Sequence, residues 1–505
     1  MEPPVSHRTK IDAKHWHRRL ATLAKRYHVP GAQLGILRVT ANEPDELVVV
    51  TDGVLSLRTQ APTTEDSLFQ IGSITKVWTA TVIMQLVDEG RLALDTPVAE
   101  VLPDLRLSDA DVTRRVTIRH LLTHTSGIDG DVFTDTGRGD DCLERYVALL
   151  ADVAQNHPLG VTWSYCNAGY SLLGRVIEHV TGTTWDRALR DRLFTPLGLS
   201  YTVTLPEEAL LFGTAVGHVE DEGAPKGKGN GKRKRKMAQK VAPVWTLPRS
   251  LGPAGLITAR AADVLAFARM HLSGGRAANG TQILSEASAA AMTDHQADLP
   301  EKYLLGDSWG LGWIRFGWVG RRLIGHDGNT IGQAAFLRLL PEQGLAVTLL
   351  TNGGQTRDLY DELFREIFET LAGVHMPHPL TAPDEPVEVD ASPFVGTYER
   401  ASVRLDVLPA DTDHQRARLR TTVTGTLAEL EPEEPKEYEM VPAGPELFVV
   451  RPPESEMWFP VVFYSLATGE RYLHFGARAT PLVTAPASPR SQRAHRTRQR
   501  APAPA

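Results

Sequence analysis

The sequence predicts a mixed α/β body, followed after about residue 373 by a small antiparallel β-barrel. Three observations predict it. A chain of 505 residues is too long for one ordinary core, so two domains are the default and three are allowed. Up to Leu371, apolar residues recur at helical spacing in some segments and as short strand-like runs in others. A stretch rich in proline and acid, 374–392, then gives way to short alternating strands between turn residues.

Residues 11–27 carry Trp16, Leu20, Leu23 and Ala24 on one helical stripe, ended by Val29-Pro30-Gly31. Strands follow at 32–39 and 47–57, the second interrupted around Asp52-Gly53. Residues 67–73 lead into a helix with Val77, Ala80, Val82, Ile83, Leu86 and Val87 as its apolar positions and Glu89-Gly90 as its C-cap. Helical spacing returns at Leu172, Leu173, Val176 and Ile177, at Ala261, Leu265, Ala268 and Met270, and over 359–371. Trp309, Trp313, Phe316 and Trp318 alternate with glycines, which fits a pocket wall or strand packing equally. Strands are expected at 321–325, 333–340 and 345–351, and barrel strands at 394–398, 403–407, 418–423, 438–440, 447–450, 461–464 and 472–475. The expected division is a body over 1–373 with a flexible basic insertion at 220–240, a linker over 374–392, the barrel over 393–485, and a disordered, arginine-bearing tail over 486–505.

Three short segments carry chemistry. Ser73 and Lys76 form S-x-x-K at the mouth of a helix, one turn apart on one face. A serine hydroxyl needs a base within hydrogen-bond reach, and a lysine serves if burial leaves it neutral. The helix N-terminus adds backbone N–H groups suited to a developing negative charge. By itself S-x-x-K fits a helix cap and a solvated lysine just as well. Tyr165 and Asn167 form Y-x-N ahead of a helix: alone, a packing aromatic and an N-cap; beside a serine nucleophile, a proton relay and a holder of a substrate carbonyl. His326-Asp327-Gly328-Asn329 lies between strand-like runs. There Gly328 lets a substrate backbone approach, the Asn329 amide can supply an oxyanion donor opposite that of Ser73, and His326 can bond Tyr165 or substrate. His124 and Ser126, in Thr123-His124-Thr125-Ser126-Gly127, suggest a serine–histidine pair, but a hydrogen-bonded turn accounts for them more simply.

These segments in this order, Ser73-x-x-Lys76, Tyr165-x-Asn167 and His326-x-Gly328, resemble the serine β-lactamase and penicillin-binding-protein superfamily, in its class C-like branch of esterases, D-amino-acid peptidases and penicillin-binding-protein-type thioesterases. Leu121 to Gly127 and Gly252-Pro253-Ala254-Gly255-Leu256 look like that branch's flanking signatures, and the resemblance covers about residues 15 to 372. It implies an antiparallel sheet flanked by helices, with a helical subdomain between the first and third segments. It also implies roles: Ser73 as nucleophile, Lys76 and Tyr165 for proton transfer, Asn167 for substrate orientation, and the amides of Ser73 and Asn329 as oxyanion hole. The C-terminal strands, centred on 394–398, resemble the lipocalin-like domain often appended to this branch. One departure stands out. Relatives that act on β-lactams usually carry lysine where this chain has His326, and a neutral imidazole attracts a substrate carboxylate less. The implied activity is therefore an esterase, amidase, peptidase or acyltransferase rather than an efficient β-lactamase. The alternatives are a thioesterase that releases or cyclises nonribosomal peptides, and an inactive homologue that holds a ligand.

A net charge of −7 and a pI near 6.2 disfavour nucleic acid and anionic membrane as partners. A small-molecule or peptide substrate is the expected partner. The lysine-rich run 226–236 is a solvated loop or an arm for an acidic partner such as a carrier protein or nucleic acid, the loop being the simpler reading. Two cysteines, Cys142 and Cys166, allow one bridge at most and no zinc-type cluster, and no metal or cofactor is expected. The N-terminus has no apolar signal region and no window is long enough to span a bilayer, so a cytoplasmic location is expected.

Overall fold

An eight-stranded antiparallel sheet is the frame on which the body is mounted. The computed structural model describes residues 9–483 apart from 41–42, 222–237, 386, 413, 431–432, 454 and 456. The basic insertion expected from sequence therefore lies outside the described residues except at its margins, and the arginine-bearing tail lies wholly outside them. The sheet comprises β1 (Gly31–Arg38), β2 (Glu46–Gly53), β3 (Ala297–Asp298), β4 (Ser308–Trp309), β5 (Ile314–Trp318), β6 (Arg321–Thr330), β7 (Gln333–Leu340) and β8 (Leu345–Thr351). Its spatial order is β2-β1-β8-β7-β6-β5-β4-β3. β1, β7 and β8 are buried along their whole length, because both faces of the sheet are covered.

Alternate residues of these strands feed two cores. Leu34, Ile36, Val347 and Leu349 meet helix α1 (Ala13–Arg26) and the late helix Thr356–Ala372. Leu37, Ala346, Leu350 and Leu337 face the other side, toward helix α2 (Thr75–Asp88) and the helical part of the chain. Between residues 98 and 197 that part is helical, with α3 (Asn167–Thr181) at its centre. α2 is wrapped by this core, with eleven of its residues from Thr75 to Leu86 buried. β2 stops at Gly53 rather than continuing to 57, because Gly53 adopts φ 78° and turns the chain under the Pro30 carbonyl. The four aromatic residues 309, 313, 316 and 318 are all buried, so strand packing accounts for them.

The C-terminal strands form two antiparallel sheets, and the expected closed barrel is not found. One sheet holds β9 (Gly396–Arg400), β10 (Val403–Leu408), β11 (Arg418–Val423) and β12 (Lys436–Glu439). The other holds β13 (Val441–Pro442), β14 (Leu447–Val450), β15 (Phe459–Ser465), β16 (Arg471–Phe475) and β17 (Arg478–Pro481). The sheets share a core that includes Tyr398, Leu405, Leu419, Phe448, Val461 and Phe463. Among the described residues, β9 is tied to the segment just past β17 by one isolated bridge, Tyr398 opposite Leu482, and by no continuous ladder, so the sheets do not close into a full circle. Strand β17 was not expected from sequence. Its four residues carry too little alternation to register. Among the described residues no helix is long and apolar enough to cross a membrane.

Candidate active site

The turn Gly72–Ile74 delivers Ser73 directly into α2, and its side chain is partly open to a cleft of about 430 Å³. Lys76, one turn on, is fully buried. Its amine lies 3.1 Å from the Ser73 hydroxyl, 2.8 Å from Asn167 Oδ1 and 2.6 Å from the Ala254 carbonyl oxygen. Burial, reinforced by the nearby Arg478 guanidinium, pushes the Lys76 amine well below the ordinary lysine value. A neutral amine has two N–H groups and one lone pair. Asn167 Oδ1 and the Ala254 carbonyl take the two N–H groups, which leaves the lone pair facing the serine O–H.

The Ala254 carbonyl is held by its neighbours. Thr79 donates to the Pro253 carbonyl and the Ile257 amide donates to Thr75, which ties the segment 253–257 to α2. A methyl group on Gly174 of α3 would lie 2.2 Å from the Pro253 ring, so the glycine is what lets α3 close on this turn.

Tyr165 precedes α3 and is buried, 4.7 Å from the Lys76 amine measured to its ring centre. Burial pushes its phenol up, and the nearby Ser73 opposes this, although the phenol makes no hydrogen bond of normal geometry. The neutral phenol is therefore the resting form. Asn167 is the first residue of α3, not its cap. The Cys166 thiol caps the helix instead, accepting from the Gly169 amide at 3.2 Å. That frees the Asn167 amide to reach Lys76 on one side and Asp131 on the other, 2.9 Å away.

His326, Gly328 and Asn329 lie on β6. Its pairing with β5 ends at Ile314 opposite Gly325, so from His326 onward one edge of β6 is open to the cleft. Close approach defines this edge. A methyl group on Gly328 would fall 1.9 Å from the Ile71 carbonyl oxygen and 2.9 Å from the Ser73 nitrogen. One on Gly72 would fall 2.6 Å from the Asn329 nitrogen. The backbones that carry the Ser73 and Asn329 amides are thus in van der Waals contact beside the Ser73 hydroxyl. His326 does not bond Tyr165, whose ring centre is 6.2 Å away. Its Nδ1 faces the Asp327 carbonyl at 2.6 Å, an acceptor, so Nδ1 carries the proton and the unpartnered Nε2 is a lone pair. Burial, with Lys76 adding to it, pushes this imidazole down to about 3, so it is uncharged at neutral pH.

His124 is no partner for Ser126. Its Nδ1 accepts from the Cys166 amide at 3.0 Å and its ring stacks on Tyr165, a turn that braces the tyrosine. Both cysteines are buried and free. Several cleft residues escaped sequence reading. Asp327 is clamped by Arg338 and Arg357, each at 2.6 Å, and Asp131 by Arg400 and Arg478. Asp327 stood inside a segment already singled out. Asp131 and the two C-terminal arginines are scattered charges with no motif, and only folding brings them together. Cleft walls of Phe133, Leu247, Leu251, Leu304, Leu305 and Phe459 are apolar.

Residues 16–372 match the model of the beta-lactamase family. The chain belongs to the beta-lactamase family. Within it, the chain is 48% identical over 392 residues to penicillin-binding protein 4 of Amycolatopsis lactamdurans, across 77% of this chain and 98% of that one. The crystal structure of SurE superposes with a TM-score of 0.72 at 28% identity, covering 93% of this chain and 99% of SurE, so the likeness extends into the C-terminal sheets. The D-amino acid amidase of Ochrobactrum anthropi SV3, complexed with L-phenylalanine, shares the fold of the body at a TM-score of 0.58 and 22% identity, over 71% of this chain and 99% of its own. As a beta-lactamase family member, with an esterase of Burkholderia gladioli among its sequence relatives, the protein is a serine hydrolase.

Proposed function

We propose that this hydrolase works through an acyl-enzyme on Ser73 and takes an ester, amide or D-amino-acid-containing peptide whose acyl part is apolar and uncharged near the bond cleaved. The observation that carries this is the buried Lys76 amine 3.1 Å from the Ser73 hydroxyl, where burial favours its neutral form and so a lone pair for the serine proton. In acylation the serine oxygen bonds the substrate carbonyl carbon and its proton passes to Lys76. The carbonyl oxygen becomes an anion beside the amides of Ser73 and Asn329. The carbonyl then re-forms, the bond to the leaving group breaks, and the Tyr165 phenol relays the proton from Lys76 to the departing atom. Water or an amine then attacks the acyl carbon, and the serine recovers its proton. Asn167 has one amide N–H left over to orient the substrate.

Charge in the cleft supports the substrate class. Among the described residues lining it, the cations are Arg357 and Arg478, and each is engaged by a buried carboxylate, Asp327 and Asp131. His326 is neutral. A substrate carboxylate, as a β-lactam carries, therefore finds little to pair with. A structure of SurE with D-Leu, similar over 93% of this chain, supports a D-configured amino acid in the substrate. The same machinery would release or cyclise a peptidyl thioester.

Intact-mass spectrometry tests the reading. p-Nitrophenyl esters, a D-alanyl amide and a peptidyl thioester should leave an acyl adduct on the wild type and none on Ser73→Ala, and a cephalosporin should react poorly. No adduct from any of them would overturn the proposal in favour of a ligand-holding homologue. Activity should fall as pH drops through the Lys76 value, because protonation removes the lone pair. Lys76→Arg should be inactive at every pH, because arginine keeps its proton.

A further inference from the structure

Two hairpin tips of the C-terminal sheets reach the body beside the cleft: one lines the cleft itself, and the other packs on Asp129 and Asp131. The turn between β16 and β17 is Gly476-Ala477, both at positive φ, 58° and 68°, which makes a tight two-residue hairpin. Its Ala477 carbonyl accepts the Tyr165 backbone N–H at 3.0 Å. The next residue, Arg478, lays a fork on Asp131: Nε to Oδ2 at 3.0 Å and Nη2 to Oδ1 at 2.9 Å. The turn between β9 and β10 adds Arg400 to Asp131 Oδ2, the Ser402 hydroxyl to the Asp131 carbonyl, and the Ala401 amide to Asp129 at 2.7 Å. Asp131 is 6% exposed.

Asp131 also accepts from Asn167 Nδ2, and this bond decides how the asparagine faces. Burial alone would raise the Asp131 carboxyl, but the two arginines outweigh it and hold the group at about 2. It is therefore ionised and can only accept. The asparagine must turn its NH₂ toward it, and its oxygen then faces Lys76. The reversed amide would set oxygen against carboxylate and N–H against N–H.

We propose that the C-terminal sheets are part of the catalytic apparatus: Arg400 and Arg478 fix the Asp131 carboxylate, Asp131 orients the Asn167 amide, and Asn167 holds Lys76 with its lone pair on Ser73. Asp131, Arg400 and Arg478 are thus positioning residues, and the proposal rests on the serine acyl-enzyme reading above. A merely structural clamp would need no charges, since well-packed apolar residues hold two surfaces together at least as well as a buried ion cluster.

The role has a signature in pH. The charges facing Lys76 are Arg478, which disfavours its cation, and Asp131, which favours it. Around them Cys166, Tyr165 and Tyr170 are held protonated by burial, and His124 and His326 are held neutral. Removing the two charges singly should therefore move the Lys76 titration in opposite directions. The experiment is the rate of Ser73 labelling by a fluorophosphonate, measured against pH on full-length wild type, Asp131→Asn, Arg478→Gln and Arg478→Lys, with a melting curve for each. In Asp131→Asn the acid limb should move down by about one pH unit and the optimum rate fall roughly ten- to a hundredfold. In Arg478→Gln the limb should move up. In Arg478→Lys, which keeps the charge and loses the fork, the limb should stay while the rate falls. If Asp131→Asn does not fold, the Arg478 pair still decides, since that side chain is 23% exposed at a hairpin tip. Limbs that stay together and rates within a factor of about two, in folded variants, would overturn the proposal. A wild type that takes no label fails the acyl-enzyme reading itself, and the proposal with it.

Discussion

Gly328→Ala tests whether close contact between two backbones builds the oxyanion site. The added methyl would sit 1.9 Å from the Ile71 carbonyl oxygen. A carbon–oxygen contact settles near 3.3 Å, so β6 and the Gly72–Ser73 turn must part by roughly 1.4 Å. Neither side can yield by turning a side chain, because the clash is with backbone. Nor is this a question of forced φ, since Gly328 is not in the left-handed region. A displacement of that size takes the Asn329 amide out of reach of an oxygen bound beside Ser73. Loss of one such donor costs about a hundred- to a thousandfold in kcat. Gly255→Ala is the control. Gly255 also borders the cleft, but its methyl would meet nothing nearer than the Gly72 carbonyl carbon at 3.8 Å, an ordinary contact. Ester turnover should therefore collapse in Gly328→Ala and stay near wild type in Gly255→Ala, with both proteins folded by circular dichroism. A folded Gly328→Ala enzyme that keeps kcat within about threefold of wild type would refute the reasoning.

Other outcomes follow from the buried charges. Asp327→Asn should destabilise the fold by about 3–5 kcal/mol in chemical denaturation, because it strands the buried Arg338 with no counter-charge. In the wild type, burial would raise the Asp327 carboxyl, yet Arg338 and Arg357 outweigh it and hold it at about 2. Its folded value lies below its unfolded one, so its contribution is complete above the ordinary carboxylate range and is lost as pH falls from about 4 through 2. A flat stability profile across that window would contradict this. Burial raises Cys142 to about 11 and Cys166 to about 12, so neither thiol should react with Ellman's reagent in the native protein at pH 8, and both should titrate after denaturation. Rapid native modification of either would show the packing to be looser than described.

Much of the body, and several of the residues that meet at its cleft, were legible in order along the chain. Trp16, Leu20, Leu23 and Ala24 define a helix stripe because local spacing and burial coincide there, and the same residues are the buried face of α1. The pair Ser73 and Lys76 was legible because one helical turn sets their distance, whatever the rest of the fold does. The C-terminal strands were legible individually, but closure depends on how the first and last meet, and here they share a single bridge. Asn167 read as a helix cap, since nothing local says that the Cys166 thiol will take that place. The protonation state of Lys76 needed burial, which no spacing reveals. Asp131 with Arg400 and Arg478 needed contacts across 269 and 347 residues. Helical periodicity is a local property of the chain and survives in one dimension. Pairing between distant charges exists only after the backbone has folded, and there the site acquires its charge balance, the facing of its asparagine and the burial of its lysine.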